Sequence, residues 1–301
     1  MLRGHYSPPF CSWIAAALQT KVSRERIGSE LEGMLTGPRP FHALCLLHRL
    51  NLLEPVFGAS LDWEAALSTA DLAWQGLEEA QLSLDKDAQR DFLAAALLLG
   101  LRGEKKAGPK GREEPVSTGI LRSSLKWPIK SADRVEALHT WAPRLEELLD
   151  WQELGSKDAP KPSPSASEPL PASAVLTMGH ALRALRTSWR EGFLLAGVLA
   201  GGPAGRVAGS LSRLTALAER AGIQDCAEWK PLLDGHRVMS LLGVKGRAVG
   251  LAAAAVVDWQ LLHPSASAAE CERWLLEESD WAQGSGLSGI KRQEPEHDSK
   301  A

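Results

Sequence analysis

Paired carboxylates are the residues in this sequence that come closest to a catalytic motif. Asp85 and Asp87 stand two positions apart, and two such carboxylates can clamp the magnesium ions of a nucleotidyl or phosphoryl transfer. That arrangement needs a strand edge, whereas these residues lie in a polar connector before a helical pattern. We therefore interpret them as the cap region of a helix. The sequence also has no P-loop and no glycine-rich turn after a strand, so we predict no catalytic residue and no metal ligand.

Cysteine and histidine offer no alternative centre. Cys11, Cys45, Cys226 and Cys271 have neither the spacing of a zinc site nor that of a disulfide framework. The eight histidines are dispersed, and their spacing supports no Ser/His/Asp or Cys/His arrangement. The unpaired thiols favour an intracellular, reducing compartment, whose identity the sequence leaves open.

Positive charge is concentrated in two stretches of a nearly neutral chain. The net charge over 301 residues is -3, so any nucleic-acid contact must come from local patches. Residues 101–130 carry eight basic and three acidic side chains, and residues 179–213 carry five basic and one acidic. Such cations can contact phosphates, or they can form a solvated helix face.

The elements that must position these residues are helices. Leu31, Met34 and Leu35 follow the i, i+3, i+4 spacing of an amphipathic helix, and similar spacing recurs along the chain with almost no strand-like alternation. We predict an all-α fold with no sheet larger than a hairpin. Residues 103–118 are expected to form a solvated loop. The apolar segment AQRDFLAAALLLGLRG predicts a buried helix, and Ser131 is a candidate N-cap of a later helix.

Composition divides the chain into two helical units joined by a Pro/Ser-rich linker. That linker is too poor in apolar residues to order itself and is expected to be disordered. The predicted segments are an atypical N-terminal segment (1–13), a neck and body domain (14–154), the linker (155–173), a tail domain (174–281) and a disordered tail (282–301).

The order of four segments resembles a known family. VSRERIGSELEGML followed by GPRPFHALCLLHRLNLLEPVF resembles the neck of class II CCA-adding enzymes, the tRNA nucleotidyltransferases, and of their poly(A) polymerase relatives. GILRSSLKWPIKSADRVEALH is similar to the body segment, MGHALRALRTSWREGFLLA to the helix that follows it, and LLDGHRVMSLLGVKGRAVG to the tail segment. The resemblance covers roughly residues 14 to 280.

The resemblance implies roles for individual residues. Ser23, Glu25, Arg26 and Glu30 match the neck motif, whose role is structural. By residue type Ser23 is also predicted to be the N-cap of a helix, with Glu25 and Arg26 in its first turn. The body and tail of the family hold tRNA, which is read by shape. The cations that we expect to contact RNA are Arg122, Lys126, Lys130, Arg183, Arg186, Arg190, Lys245 and Arg247.

The sequence departs from the family at its start. The family's catalytic head precedes the neck and carries a strand with metal-binding carboxylates and an element that selects CTP and ATP; neither pattern occurs here, and residues 1–13 resemble nothing in the family. We therefore expect this chain to bind tRNA or a tRNA-like RNA without catalysis. Magnesium with CTP or ATP is implied only for a full-length member, and the chain itself is expected to need no cofactor.

Two alternatives stay open at this point. One is a non-catalytic RNA-binding or regulatory protein derived from the family, and the other is an all-α protein-interaction module. We expect no DNA partner, and no membrane partner because no apolar run approaches the ~18 residues that a membrane span requires. The oligomeric state is not predicted.

Overall fold

The computed structural model describes residues 9–108, 111–154 and 170–277, with side chains from residue 13 onward and not for 150–154. The predicted all-α fold is confirmed, because the sheet found in these ranges has only two strands. The helices are α1 (Pro9–Thr20), α2 (Arg24–Leu35), α3 (Pro40–Arg49), α4 (Leu53–Phe57), α5 (Trp63–Glu79), α6 (Lys86–Leu97), α7 (Val116–Gly119), α8 (Ile129–Leu154), α9 (Ala172–Leu185), α10 (Trp189–Leu199), α11 (Ala204–Arg220), α12 (Gly235–Leu242), α13 (Arg247–Leu262) and α14 (Ala268–Glu277). The strands are β1 (Lys105–Ala107) and β2 (Glu113–Pro115).

The two strands correct the prediction of a loop over residues 103–118. They pair in antiparallel register, with Lys105 opposite Pro115 and Ala107 opposite Glu113. The backbone N–H of Gly108 donates to the carbonyl of Arg112 at 2.7 Å and closes the turn. Backbone pairing thus orders a segment whose charged composition predicts only solvation.

The chain forms two compact units. Unit 1 comprises the described residues up to 154 together with 184–216, and unit 2 comprises the described residues 170–183 and 217–277. Residues 184–216 therefore cluster with unit 1, although the sequence places them in a continuous tail domain, 174–281.

Helix α6 forms the centre of unit 1. Its residues from Phe92 to Leu97 are buried on every side, which confirms the buried helix expected from the segment AQRDFLAAALLLGLRG. Small alanine side chains allow α2, α5 and α8 to approach it. Helix α10 packs in turn against α5 and α8.

Helix α2 begins as the sequence predicts. Ser23 is its N-cap and accepts a hydrogen bond from the backbone N–H of Arg26 at 3.4 Å, and Glu25 lies in the first turn. The neighbouring Arg24 side chain donates to the carbonyls of Ser124 at 2.6 Å, of Pro55 at 2.9 Å and of Val56. One guanidinium therefore joins α2 to α4 and to the turn that precedes α8.

Ser131 is not an N-cap, and that prediction is wrong. Helix α8 begins at Ile129, and the backbone N–H of Ser131 already donates to the carbonyl of Pro128 at 3.0 Å. The Ser131 hydroxyl is buried and accepts a hydrogen bond from Arg90 Nη2 at 2.6 Å. The Ser131 side chain therefore accepts a hydrogen bond from a buried cation and does not cap the start of a helix.

Unit 2 is built around α12, α13 and α14. These helices share one cluster of buried side chains, which includes Leu233, Val238, Ala252, Val256, Cys271 and Leu275. Within the part of the chain that the structure describes, no single helix combines the length and apolar composition of a membrane span; α12 and α13 reach it only as a pair, bent by 110°.

The predicted linker and termini lie largely outside the described residues. Ala172 and Ser173 were assigned to the linker 155–173, but they are the first two residues of α9, which begins directly after Pro171. Residues 155–169, 278–301 and 1–8 are outside the described ranges. Residues 9–13 of the predicted N-terminal segment form the start of α1.

Candidate nucleic-acid interface

Four cations line two adjoining depressions on unit 1, which we call the cationic cleft. One depression, of about 300 Å³, is lined by Lys130, Arg134 and Arg186 among others. The other, of about 170 Å³, is lined by Arg134 and Arg190 among others. Both share Arg134 and the hydroxyl-bearing residues Thr187 and Ser188. The cleft therefore brings together cations from α8 and α10 and from the turn between α9 and α10.

A tight turn gives the cleft its second wall. Helix α9 ends at Leu185, and residues 186–188 form a single 3-10 turn before α10 begins. Arg186 has a φ of 50°, a left-handed conformation that is uncommon for a residue other than glycine. Its side chain is exposed, as is that of Arg190. The turn thus places both arginines on the accessible surface of unit 1.

Arg190 is oriented by an aromatic neighbour. Its guanidinium lies 4.3 Å from the centroid of the Trp189 ring. Such a contact restricts a flexible cation without neutralising it. Trp189 in turn packs edge-on against the buried Phe193, with ring centroids 5.0 Å apart, so the arginine rests on a fixed support.

The cleft also contains acidic groups, so its charge is mixed. Asp85 and Glu191 line one depression, and Asp133 lines the other. Burial raises the pKa of Glu191, and the charges of Arg134 and Arg190 act against that rise. A phosphate would therefore bind where the cations project past these carboxylates.

A buried ion network supports Arg134, one of the cations that line the cleft. Arg90, whose side chain is only 1% exposed, binds Asp91 at 2.9 Å, Asp87 at 3.2 Å and Glu32. Its guanidinium also lies 5.1 Å from the centroid of the Trp127 ring. The second oxygen of Asp91 accepts from Arg134 Nη1 at 3.3 Å. Arg134 is therefore positioned from behind by a carboxylate that is itself held by Arg90.

Asp85 and Asp87 are occupied by local contacts, which confirms the cap interpretation. Asp85 is the N-cap of α6 and accepts from the backbone N–H of Ala88 at 2.8 Å. Asp87 accepts from Lys130 Nζ at 2.9 Å. The hydrogen bond from Lys130 holds the pKa of Asp87 below its ordinary value, and the charge of Arg90 acts in the same direction.

The remaining RNA-contact candidates lie apart from the cleft lining. Arg122 and Lys126 are exposed in the turn before α8, and Lys126 has a left-handed φ of 57°. Lys245 and Arg247 are exposed on either side of Gly246, whose φ of 64° begins α13 in unit 2. Their contact with RNA stays a prediction, as does that of the cleft residues.

Arg183 has a structural contact that the sequence did not indicate. Its Nη1 donates to the carbonyl of Cys226 at 2.9 Å and to that of Trp229 at 3.1 Å within unit 2. The guanidinium is half-buried and fixes the segment between α11 and α12.

Three arginines that organise unit 1 escaped the sequence reasoning. Arg24 was passed over in favour of Glu25, Arg26 and Glu30, which the structure places on the exposed face of α2. Arg134 and Arg90 are not among the residues predicted from the sequence. For Arg90 the available signal was its position beside Asp91 directly before the apolar run from Phe92 to Leu97, since charges are buried only when they are paired.

No metal site can be assigned within the described ranges. No group of three or more His, Cys, Asp or Glu side chains there is arranged to hold a metal ion.

These features are those of a helical module with an exposed cationic surface. Residues 15–61, which run from α1 to the start of α5, match the family described as "Probable RNA and SrmB- binding site of polymerase A". The chain is 24% identical over 87% of its length to tRNA nucleotidyltransferase cca2 of Schizosaccharomyces pombe, and 25% identical over 85% to the mitochondrial CCA tRNA nucleotidyltransferase of Candida glabrata. No solved structure matches it.

The matches agree with the motif order: this chain is similar to CCA-adding tRNA nucleotidyltransferases along most of its length. It spans about half the length of the two relatives, 53% and 54% respectively.

Proposed function

We propose that this chain binds tRNA and that the cationic cleft holds part of the tRNA backbone. The observation that carries the proposal is the convergence of Lys130, Arg134, Arg186 and Arg190 on one surface of unit 1. Cations with neighbouring hydroxyl groups are the side chains that contact phosphate oxygens most often. The relatives are tRNA nucleotidyltransferases by name, which supports tRNA as the RNA concerned.

The positions of the cleft cations favour recognition of shape over recognition of base sequence. The cleft is shallow and mixed in charge, and its arginines project from two helices and a turn. Folded RNA is held largely by phosphate and sugar contacts that follow its surface. We expect tRNA to bind better than a DNA duplex with the same number of phosphates.

The proposed contribution of residues 1–301 is binding and not nucleotide transfer. Nucleotidyl transfer needs carboxylates that clamp two magnesium ions, and in this sequence the one Asp-x-Asp pair, Asp85 and Asp87, is committed to a helix cap and to Lys130. One relative is named a CCA tRNA nucleotidyltransferase. In a protein that transfers nucleotides, residues other than Asp85 and Asp87 would have to bind the two magnesium ions.

Two assays on the purified chain test the proposal. The first measures the Kd for a tRNA transcript at increasing salt, with a DNA duplex of equal phosphate number as the control. We expect the affinity for tRNA to fall by about 10-fold or more between about 50 and 200 mM salt, because bound phosphates release counterions. The second supplies tRNA, CTP, ATP and magnesium, and we expect no CMP incorporation.

Each alternative has its own result. Equal binding of tRNA and DNA, or binding that salt does not change, would contradict the cleft as a tRNA site. If the chain binds neither polymer, the all-α protein-interaction module becomes the favoured alternative. Incorporation of CMP in a preparation free of host enzyme would refute the binding-only contribution.

A further inference from the structure

Three aromatic rings form a continuous stack in unit 2. Trp259 lies in α13 and stacks with two other rings, those of His263, which follows that helix, and of Trp274 in α14. The Trp259 and His263 ring centroids are 4.5 Å apart with an interplanar angle of 25°, and those of Trp259 and Trp274 are 5.6 Å apart at 23°. Near-parallel rings at this spacing resemble the stacking of successive bases.

The inner end of the stack is fixed. Trp259 and Trp274 are partly buried and pack against the core of unit 2, which includes Val256 and Cys271. Rings held in this way lose little further freedom when another ring joins them. The stack is therefore rigid before any ligand arrives.

The outer end is exposed and equally well oriented. His263 is exposed, and Trp259 covers one face of its ring. Its Nδ1 lies 2.9 Å from the carbonyl oxygen of Trp259, which can only accept, so Nδ1 is the donor. The next residue, Pro264, lies against Gly222, where an added Cβ would meet Pro264 Cγ at 3.4 Å. The imidazole thus presents its second face from a constrained position.

We propose that this face of His263 accepts an unpaired nucleobase of the bound RNA, as a fourth ring on the stack. The proposal rests on the proposed function, since it assumes that the chain binds RNA. Base stacking on an aromatic side chain tolerates any base, because every base offers a flat π-face. It also adds affinity without neutralising phosphate, so its signature differs from that of the cationic cleft.

The test compares His263→Leu with His263→Phe. Leucine keeps the outer face of Trp259 covered but removes the flat ring, whereas phenylalanine restores a ring. The control is His236→Leu, the same substitution at an exposed histidine on α12 of the same unit. The probes are the tRNA transcript, a single-stranded RNA oligonucleotide and a blunt RNA duplex of the same length.

We expect His263→Leu to weaken binding of tRNA and of the single strand by about 5-fold or more, the range of one base–aromatic stack. The slope of log K against log salt should not change, because stacking releases no counterions. Binding of the blunt duplex should change less than 2-fold, roughly the scatter between independent sites. His263→Phe should bind like the wild type, and so should His236→Leu.

Two results would overturn the proposal, and they separate it from the proposed function. If the wild type binds tRNA with steep salt dependence but His263→Leu binds equally well, or His263→Phe is as weak as His263→Leu, the stacking site is refuted alone. If the wild type binds no RNA, both proposals fail. Circular dichroism melts of each variant check that a weaker affinity does not reflect unfolding.

Discussion

Lys130 and Asp87 form an ion pair at the rim of the cationic cleft, with Nζ 2.9 Å from Oδ2. The other oxygen of Asp87 lies 3.2 Å from Arg90 Nη1, so one carboxylate joins the exposed lysine to the buried network. A phosphate that approaches the cleft must therefore compete with Asp87 for Lys130.

Neutralising Asp87 is expected to strengthen tRNA binding. Asp87→Asn frees Lys130, and because an exposed pair is worth up to about 1 kcal/mol, we expect a gain in affinity of about 2- to 5-fold. Glu79→Gln, which removes the same charge from an exposed position in α5, should change affinity less. Fluorescence anisotropy with labelled tRNA measures both. An Asp87→Asn affinity no higher than that of Glu79→Gln would contradict the competition.

Gly28 and Gly33 provide a matched pair within α2. A Cβ at Gly28 would lie 1.7 Å from the carbonyl oxygen of Leu125, whereas a Cβ at Gly33 meets no atom within 4 Å. Gly28→Ala should lower the free energy of unfolding by about 3 kcal/mol or more, because the backbone at Leu125 must move to make room for the methyl group. Gly33→Ala should raise it by about 0.5–1 kcal/mol through helix propensity. Urea denaturation compares them, and equal effects would show that the close approach is not rigid.

Arg90 is expected to be essential for the stability of unit 1. Arg90→Met leaves Asp91 buried with only Arg134 as an ionic partner, and breaking a buried pair in this way costs about 3–5 kcal/mol. Arg26→Met, the same substitution on the exposed face of α2, should change stability by no more than about 0.5 kcal/mol.

The double variant Arg90→Met, Asp91→Asn identifies the cause. Removing the unpaired charge should recover part of the loss in urea denaturation. No recovery would mean that lost packing, and not the buried carboxylate, explains the effect.

His139 should make the stability depend on pH. It is 4% exposed, its Nε2 lies 2.8 Å from the carbonyl of Ala95, and burial lowers its pKa to about 4 from the ordinary 6.5. Between pH 6.5 and about 4 the His139 side chain is protonated in the unfolded chain but not in the folded chain. Its contribution to the free energy of unfolding is therefore fully present above pH 6.5 and is lost as the pH falls towards 4.

His139→Gln should remove this contribution. Between pH 7 and pH 4 we expect the wild type to lose about 3 kcal/mol more of its free energy of unfolding than the variant loses. Urea titrations at several pH values measure the difference. Parallel pH profiles for the two proteins would contradict the assignment.

Local features of this fold follow from the sequence, whereas the cleft does not. Ser23 as an N-cap and Asp85 as a cap residue are decided by a few neighbouring residues, and both predictions are confirmed. The basic stretches correctly point to Lys130, Arg186 and Arg190 as exposed cations, but their meeting depends on the packing of α8 against α10.

The errors have physical causes as well. Ser131 has the residue type of an N-cap, yet its hydroxyl is buried against Arg90, a contact between distant parts of the chain. Arg24 lies in a motif of charged residues, and only the tertiary structure shows that it binds the carbonyls of Pro55 and Ser124 while Arg26 does not.

The most direct test of the account measures the salt dependence of tRNA binding in a cleft variant. Arg186→Asn tolerates the left-handed backbone at that position, and Arg190→Gln preserves helix α10. Arg102→Ala, Arg144→Ala removes two exposed cations of unit 1 that neither line the cleft nor lie within residues 15–61.

The account predicts that Arg186→Asn, Arg190→Gln weakens tRNA binding and makes the slope of log K against log salt shallower by about 1 to 2, as expected for the loss of one phosphate contact per arginine. The Arg102→Ala, Arg144→Ala control should keep the wild-type slope. Identical slopes for the cleft variant and the wild type, in proteins with equal melting temperatures, would contradict the assignment of the cleft as the tRNA-binding surface.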